Sequence, residues 1–207
     1  MIPQIILWSL IAFASGSLMF SYWLGKAALN EDIRQVGDGN PGSTNVLKAG
    51  GWKLGALAFV LDTLKGAIPI AIAKYGIGIE GVGLVIVSLM PILGHAFTPF
   101  LRGHGGKAVA VSFGVWMALT FWEIPMLGGI ALGLWYCVIA TSGWAVVFMS
   151  LSIGLYLLWF DPNPVLYCVW VGNFTLFLHK YRADLRQKPQ LRGWITERLW
   201  FSKRSAA

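Results

Sequence analysis

The sequence predicts an all-α integral membrane protein, a bundle of seven transmembrane helices with the N-terminus outside and the C-terminus cytoplasmic. Three observations predict it. Of the 207 residues, 57% are hydrophobic and only 12% charged, with 11 tryptophans, whereas ordinary soluble domains carry about 25% charged residues. The apolar residues are gathered into long runs separated by short polar connections, at lengths suited to helices that cross hydrocarbon. The cations are also one-sided. Of 16 lysines and arginines, Lys74 alone falls on one set of connections and Lys65 lies inside a run, while all others occupy the alternate connections and the tail. Such an excess marks the cytoplasmic side.

Taken in order, the first apolar run covers about Pro3 to Leu24, with Lys26 behind it. It has neither a charged start nor a small-residue cleavage site, so a retained span is expected. Further runs cover about Leu54 to Ala73, Gly81 to Leu101, Val109 to Trp122, Ile124 to Thr141, Trp144 to Phe160 and Val165 to Leu178. The fourth and seventh fall below the roughly 17 to 20 residues of a full crossing and must borrow flanking residues or thin the bilayer. A six-span or eight-span count would scramble the cation asymmetry. After Lys180 the chain turns cationic, and Leu191, Trp194, Ile195 and Leu199 recur at helical spacing among Arg192, Glu197 and Arg198. That pattern suits a helix lying on the anionic inner leaflet. No internal repeat or linker divides the chain, so residues 1–207 are expected to form one domain.

The net charge of +7 does not imply a nucleic acid partner, because the cations flank apolar spans instead of forming a soluble basic face. Cys137 and Cys168 fall inside apolar runs, where thiols behave as small hydrophobes, so no disulfide framework is implied. His95, His104 and His179 lie in different segments and form no metal-ligand spacing.

The stretch Arg34 to Lys48, RQVGDGNPGSTNVLK, is the part whose composition a lipid environment does not explain. Its glycines allow close backbone approach, its amide and hydroxyl side chains donate hydrogen bonds, and its cations supply charge, which together suit a phosphate-binding loop. Gly39, Asn40, Gly42, Ser43, Thr44, Asn45 and Lys48 are the candidate binding residues. The same residues also suit an ordinary turn, but a Walker loop is excluded by spacing. A second glycine-rich basic stretch, RGHGGK at Arg102 to Lys107, falls on the same predicted side and adds Gly105, Gly106 and Lys107. Asp62 and Lys65 lie three apart within the second span, hence on one helix face. Neither can face lipid unpaired, so they form either an ion pair that locks packing or part of a site. His95, at the inner end of the third span, is open to the same two readings.

Four motifs now stand in order: GSLMFSYWLGK at Gly16 to Lys26, IRQVGDGNPGSTNVLK at Ile33 to Lys48, LDTLKG at Leu61 to Gly66, and GHAFTPFLRGHGGKAVA at Gly94 to Ala110. With the cationic end of the last span, they make the chain resemble the bacterial membrane acyl-phosphate:glycerol-3-phosphate acyltransferases along its whole length. The resemblance implies a seven-span protein of the bacterial cytoplasmic (inner) membrane with its active site facing the cytoplasm. It implies transfer of an acyl group from acyl phosphate to the 1-hydroxyl of glycerol 3-phosphate, giving lysophosphatidic acid, with no cofactor, no metal and no obligate protein partner. Two phosphorylated substrates would explain two anion-binding loops, and a fatty donor would explain chemistry inside a bundle. In this scheme Lys107, Lys48, Asn40, Thr44 and Asn45 hold phosphate, Lys65 lies in the binding set, and His95 and Asp62 are the catalytic candidates.

The pattern also departs from the family. Asp38 stands where serine is usual, Lys48 where arginine is usual, and Ala108 where glycine follows GGK; the C-terminal RHR-x-N becomes Lys180, Tyr181, Arg182, Ala183 and Asp184. An acid at position 38 would repel phosphate unless it is protonated or paired, and lysine lacks arginine's bidentate fork. A relative that binds a phosphorylated lipid or headgroup without turning it over, or regulates a partner, would show the same retained loops. A small transporter fits less of the pattern, since polar residues gather at one face and no pseudo-repeat is present.

Overall fold

The computed structural model describes residues 1–196, and their regular secondary structure is helical apart from one isolated bridge pair. The first apolar run is not one helix. α1 (Ile2–Ser17) ends, Leu18 and Met19 intervene, and α2 (Phe20–Leu29) begins. The break has a polar cause. The Ser17 carbonyl, released from helical bonding, accepts from Thr98 Oγ1 at 2.7 Å, and the Leu18 carbonyl accepts from Lys65 Nζ. A continuous helix would have offered these buried donors nothing.

α3 (Ser43–Ala71) is bent at Gly51, whose φ of 78° leaves the helical region, and passes into a π-helical turn at Ile72–Gly76. The second half of the expected phosphate loop is therefore helix, with Ser43 and Thr44 in its first turn. α4 (Gly81–Ala96) is followed by a 3₁₀ turn at Pro99–Leu101 and by α5 (Val109–Thr120). α6 (Glu123–Val138), α7 (Ser142–Phe160), α8 (Pro164–Lys180) and the short α9 (Arg182–Leu185) follow, and residues 193–196 begin a further helical turn. Asn163 caps α8 by accepting from the Val165 N–H at 2.9 Å, and Pro164 fills the first position, where a missing donor costs nothing.

Four helical stretches, Ile2–Leu29, Ser43–Gly76, Gly81–Leu101 and Ser142–Phe160, are long and apolar enough to cross a membrane; Val109–Thr120 and Glu123–Val138 are apolar but shorter. Large apolar side chains such as Ile68, Leu134, Leu155 and Trp159 stand exposed around the bundle. A belt of this extent needs a nonaqueous neighbour. Lipid is as apolar as leucine, so close packing must hold the helices together. Two motif glycines serve that end: a Cβ on Gly66 would lie 2.4 Å from the Val111 carbonyl oxygen of α5, and one on Gly94 would lie 2.2 Å from that of Phe13 in α1.

The tail differs from a helix lying free on a leaflet. Its backbone pairs with the connection between α6 and α7: Ala140 N–H donates to Gln190 O at 2.8 Å and Arg192 N–H to Val138 O at 2.9 Å. Trp194 Nε1 adds a bond to Cys137 O at 3.0 Å. Leu191 thus pairs as a bridge, while residues 193–196, carrying Trp194 and Ile195, are helical as the spacing suggested; Glu197, Arg198 and Leu199 lie outside the described residues.

Candidate active site

The N-terminus of α3, the C-terminus of α4 and the N-terminus of α5 meet at one end of the bundle around a cavity of about 60 Å³, lined in part by Asn40, Gly42, Ser43, Thr44, Asp62, His95 and Lys107. Ala108, Val109 and Ala110 at the start of α5 complete that wall. First-turn N–H groups have no intrahelical partner, and two helix N-termini aimed into one cavity favour an anion there. A more open cleft of about 480 Å³ adjoins it, with Asp38, Gly39, Asn40, Gly105 and Lys107 on one side and His179, Lys180 and Arg182 on another. From Ser43 and Thr44 an apolar groove of about 400 Å³ runs over Leu47, Trp52, Gly55 and Phe59.

Beneath the cavity lies a buried polar cluster. Lys65 Nζ stands 2.7 Å from Asp62 Oδ1 and 2.8 Å from His95 Nδ1, and it also donates to the Leu18 carbonyl. An ammonium has three hydrogens and no lone pair, so these three acceptors saturate it. His95 Nδ1 must therefore accept, leaving the imidazole hydrogen on Nε2. Asp62 Oδ2 takes the Ser21 hydroxyl. The cluster ties the α1/α2 break to α3 and α4, so the mutual ion pair anticipated from spacing exists and is joined by His95.

The GGK motif is a consequence of this cluster. A Cβ on Gly106 would lie 2.1 Å from His95 Nε2, and one on Gly105 only 1.9 Å from the His95 carbonyl oxygen. The Gly106 N–H donates to that carbonyl at 3.1 Å. Only glycines let the loop lie flat on the histidine, and this sets the position of Lys107. The Lys180 ammonium braces the same loop by donating to Ala96 O and Gly105 O, each at 3.0 Å.

The Lys107 ammonium is 2.9 Å from Asp38 Oδ2 and 3.9 Å from Asp184 Oδ2, and lies 4.5 Å above the Tyr181 ring. Asp38 is held at its other oxygen by the Asn40 N–H at 3.2 Å and Asn45 Nδ2 at 3.1 Å. Partial burial pushes the Asp38 carboxyl up, but Lys107 and these two donors outweigh it and hold the group below its ordinary value. The acid that should repel phosphate is thus ionised and paired. Asp184 Oδ2 also accepts from Gly143 N–H at 2.9 Å, at the start of α7.

Most of the expected site residues come together here, but Asn45, Lys48, Lys65 and Gly106 do not line it; Lys65 belongs to the buried cluster and Gly106 packs on His95. Asn45 is buried and shapes the loop, donating to Asn40 O at 2.9 Å as well as to Asp38. Lys48 is exposed, and its Nζ lies beside Gly37, away from both cleft and cavity. One turn of helix separates it from Ser43 and Thr44, so α3 carries it past the cavity mouth. Sequence reasoning did not place Phe97, His179 and Arg182 in the site; the cationic end of the last span was the signal that could have done so.

A family model described as glycerol-3-phosphate acyltransferase matches residues 6–187. The chain belongs to the glycerol-3-phosphate acyltransferase family. A Thermotoga maritima protein named glycerol-3-phosphate acyltransferase 1 is 36% identical over 191 residues, covering 86% of this chain and 94% of the relative. A Thermoanaerobacter glycerol-3-phosphate acyltransferase is 33% identical over 183 residues, covering 84% and 88%. Among solved structures, the glycerol 3-phosphate form of PlsY (YgiH), an integral membrane glycerol 3-phosphate acyltransferase, superposes with a TM-score of 0.81 at 27% identity, covering 93% of this chain and 97% of that one. The lysophosphatidic acid form of PlsY gives a TM-score of 0.78 at 28% identity.

Within this acyltransferase family the departures gain a spatial meaning. Asp38, Tyr181 and Asp184, where the resemblance implies serine, histidine and asparagine, all surround Lys107. Ala108, where the resemblance implies glycine, has a φ of 65°. That left-handed conformation costs an L-residue about 1–2 kcal/mol.

Proposed function

We propose that this chain is a multi-pass acyltransferase of the bacterial cytoplasmic membrane that moves an acyl group from acyl phosphate to the 1-hydroxyl of glycerol 3-phosphate, giving lysophosphatidic acid. The observation that carries this reading is the convergence of two helix N-termini and Lys107 on one cavity at the mouth of an apolar groove. Anion and fatty chain, the two halves of an acyl phosphate, each have a matching surface there. The donor phosphate is held by the first-turn N–H groups of α3 and α5 and by Lys107, with the Ser43 and Thr44 hydroxyls beside it and the acyl chain along the Leu47, Trp52 and Phe59 groove. The acceptor enters through the wider cleft, where Arg182 and Lys180 offset its phosphate charge. Gly39, Asn40 and Gly42 shape the shared wall.

An acyl phosphate is already activated, so alignment of hydroxyl and carbonyl, with cations offsetting charge on the leaving group, supplies most of the acceleration. Asp62, Lys65 and His95 act beneath the substrates: the cluster carries the Gly105–Lys107 loop and so positions the phosphate-binding ammonium. Seven spans, an external N-terminus and a cytoplasmic site are the topology we infer from the cation asymmetry. Cysteine labelling at Ser43 tests it, and reaction with an impermeant reagent from outside intact cells would sink it.

The activity test is purified full-length protein in detergent with acyl phosphate and glycerol 3-phosphate. Transfer is expected, and Lys107→Ala should lower kcat/KM by about tenfold or more, the worth of a charge-assisted hydrogen bond. Binding of glycerol 3-phosphate without transfer from any acyl donor would replace this reading with that of a phosphate-lipid binder.

A further inference from the structure

We infer that Asp38 is the general base for the acceptor hydroxyl, set one hydrogen bond from the lysine that holds the departing phosphate. The inference rests on the acyl-transfer reading above and deepens it. Transfer to a hydroxyl requires something to take its proton. Asp38 lines the open cleft, is about half exposed, and touches Lys107, which lines both cleft and cavity. Among the described residues, no other carboxylate lines that cleft.

The other candidate groups lie outside the cleft or stand at its rim. Asp62 lines only the smaller cavity and is paired with Lys65 and Ser21. His95 accepts at Nδ1 from Lys65 and has its Nε2 edge against Gly106. Asp184 is tied to the Gly143 N–H. His104 and His179 stand exposed on the rim, His104 Nδ1 lying 3.0 Å from Arg102 O and His179 Nε2 3.5 Å from Arg182 Nη1.

Asp38 also has capacity to spare. Its Oδ1 receives both Asn40 N–H and Asn45 Nδ2, while Oδ2 receives only Lys107 Nζ. A carboxylate oxygen accepts about two hydrogen bonds, so Oδ2 retains one position for a hydroxyl. Lys107, with one hydrogen directed at Asp38, keeps two for phosphate. The base and the leaving-group cation are therefore neighbours.

The step balances without a further reactant. The acceptor hydroxyl gives its proton to Asp38 Oδ2 as its oxygen bonds to the acyl carbonyl carbon. The tetrahedral intermediate collapses, the bond from acyl carbon to phosphate oxygen breaks, and phosphate leaves with the bonding pair. Asp38 then returns the proton to that phosphate beside Lys107. Acyl phosphate dianion and alcohol become ester and hydrogen phosphate dianion, and Asp38 is unchanged. Its lowered proton affinity keeps it ionised at neutral pH and makes release to the more basic phosphate favourable. A serine at this position can orient a hydroxyl but cannot store its proton, so this chain has acquired a base where the family pattern has none.

The competing role is a latch that merely holds Lys107 in place. The test is steady-state kinetics of full-length wild type, Asp38→Asn, Asp38→Ser and Asp38→Glu with acyl phosphate and glycerol 3-phosphate from about pH 4 to 9. Loss of a general base should lower kcat by about 100-fold or more in the Asn and Ser variants, with KM for acyl phosphate changed by less than about threefold and Glu restoring part of the rate. The comparison is made on the plateau near pH 8, because the Asp38 carboxyl is held below its ordinary value and the substrate phosphates, which titrate at about pH 6, give every variant an acid limb. A kcat within about threefold of wild type in either folded variant, with any change confined to KM, would establish the latch instead. Should Asn at this position fail to fold, the Ser variant decides. A wild type that transfers nothing overturns the parent reading and this inference together, and no variant is needed to see it.

Discussion

Replacing Lys65 by methionine tests the polar cluster beneath the site. The side chains match closely in volume, so packing is preserved while the charge and all three donors are lost. Asp62, 1% exposed, would keep its Ser21 hydroxyl but lose its cation, and breaking one partner from a buried pair costs about 3–5 kcal/mol. The Leu18 carbonyl and His95 Nδ1 would also lose their donor, at about 1–3 kcal/mol each if nothing replaces it. An imidazole can move its hydrogen to Nδ1 and recover its share, so the expected loss is about 4–8 kcal/mol, with a fall in Tm on the order of 10–30 °C. Adding Asp62→Asn removes the orphaned charge, and the double variant should recover about 2 kcal/mol or more relative to Lys65→Met alone. Unfolding of the purified protein in detergent, followed by tryptophan fluorescence, measures each arm of the cycle. A Lys65→Met protein within 1 kcal/mol of wild type, or a double variant no better than the single one, would refute the claim that this cluster locks α3 and α4 to the α1/α2 break.

Other expectations follow from single residues. Ala108→Gly relieves a positive φ of 65° worth about 1–2 kcal/mol and gives back about 0.5–1 in unfolded-chain entropy, so thermal melts should show a net gain of about 0–1.5 kcal/mol; destabilisation would count against left-handed strain at this position. Gly106→Ala places a Cβ 2.1 Å from His95 Nε2 and should shift Lys107 enough to cut transfer by about tenfold or more while far-ultraviolet dichroism is retained; unaltered kinetics would mean the loop does not depend on that contact. Arg34, hydrogen-bonded to Asp32, holds the Asp32 carboxyl at about 2 instead of 3.8. A depressed carboxylate contributes stability that is complete above its unfolded value and disappears as pH falls through the folded one. The gap in melting temperature between wild type and Asp32→Asn should therefore be small, because solvent screens this exposed pair, and should close between about pH 5 and pH 2. A gap that widens on acidification would reverse the sign and exclude the pair as its cause.

Each property of this protein was legible to the extent that it is local in the chain. Hydrocarbon imposes its cost residue by residue, so the apolar runs and the one-sided cations were visible without a structure, and so was the placement of Asp62 and Lys65 on one helix face. The clustering of glycines, small donors and a cation at positions 39 to 44 and 105 to 107 was readable for the same reason, because these residues stand side by side. The break at Leu18 was not, since every residue around it is apolar or small and its cause is a lysine 47 residues away. Lys48 looked equivalent to Lys107 by composition, yet the helical start at Ser43 directs it past the cavity. The ring around Lys107 was likewise invisible: Asp38 lies 69 residues away and Asp184 approaches from the far end of the last long helix. A partner across helices leaves no periodic trace at either position, because a long-range hydrogen bond depends on how helices pack and not on the spacing within any one of them. The chain alone therefore determined that this is a membrane protein with glycine-rich, cation-bearing loops. Only packing decided which of their groups are paired with one another and which, like Asp38, line the open cleft, because such contacts depend on how helices meet.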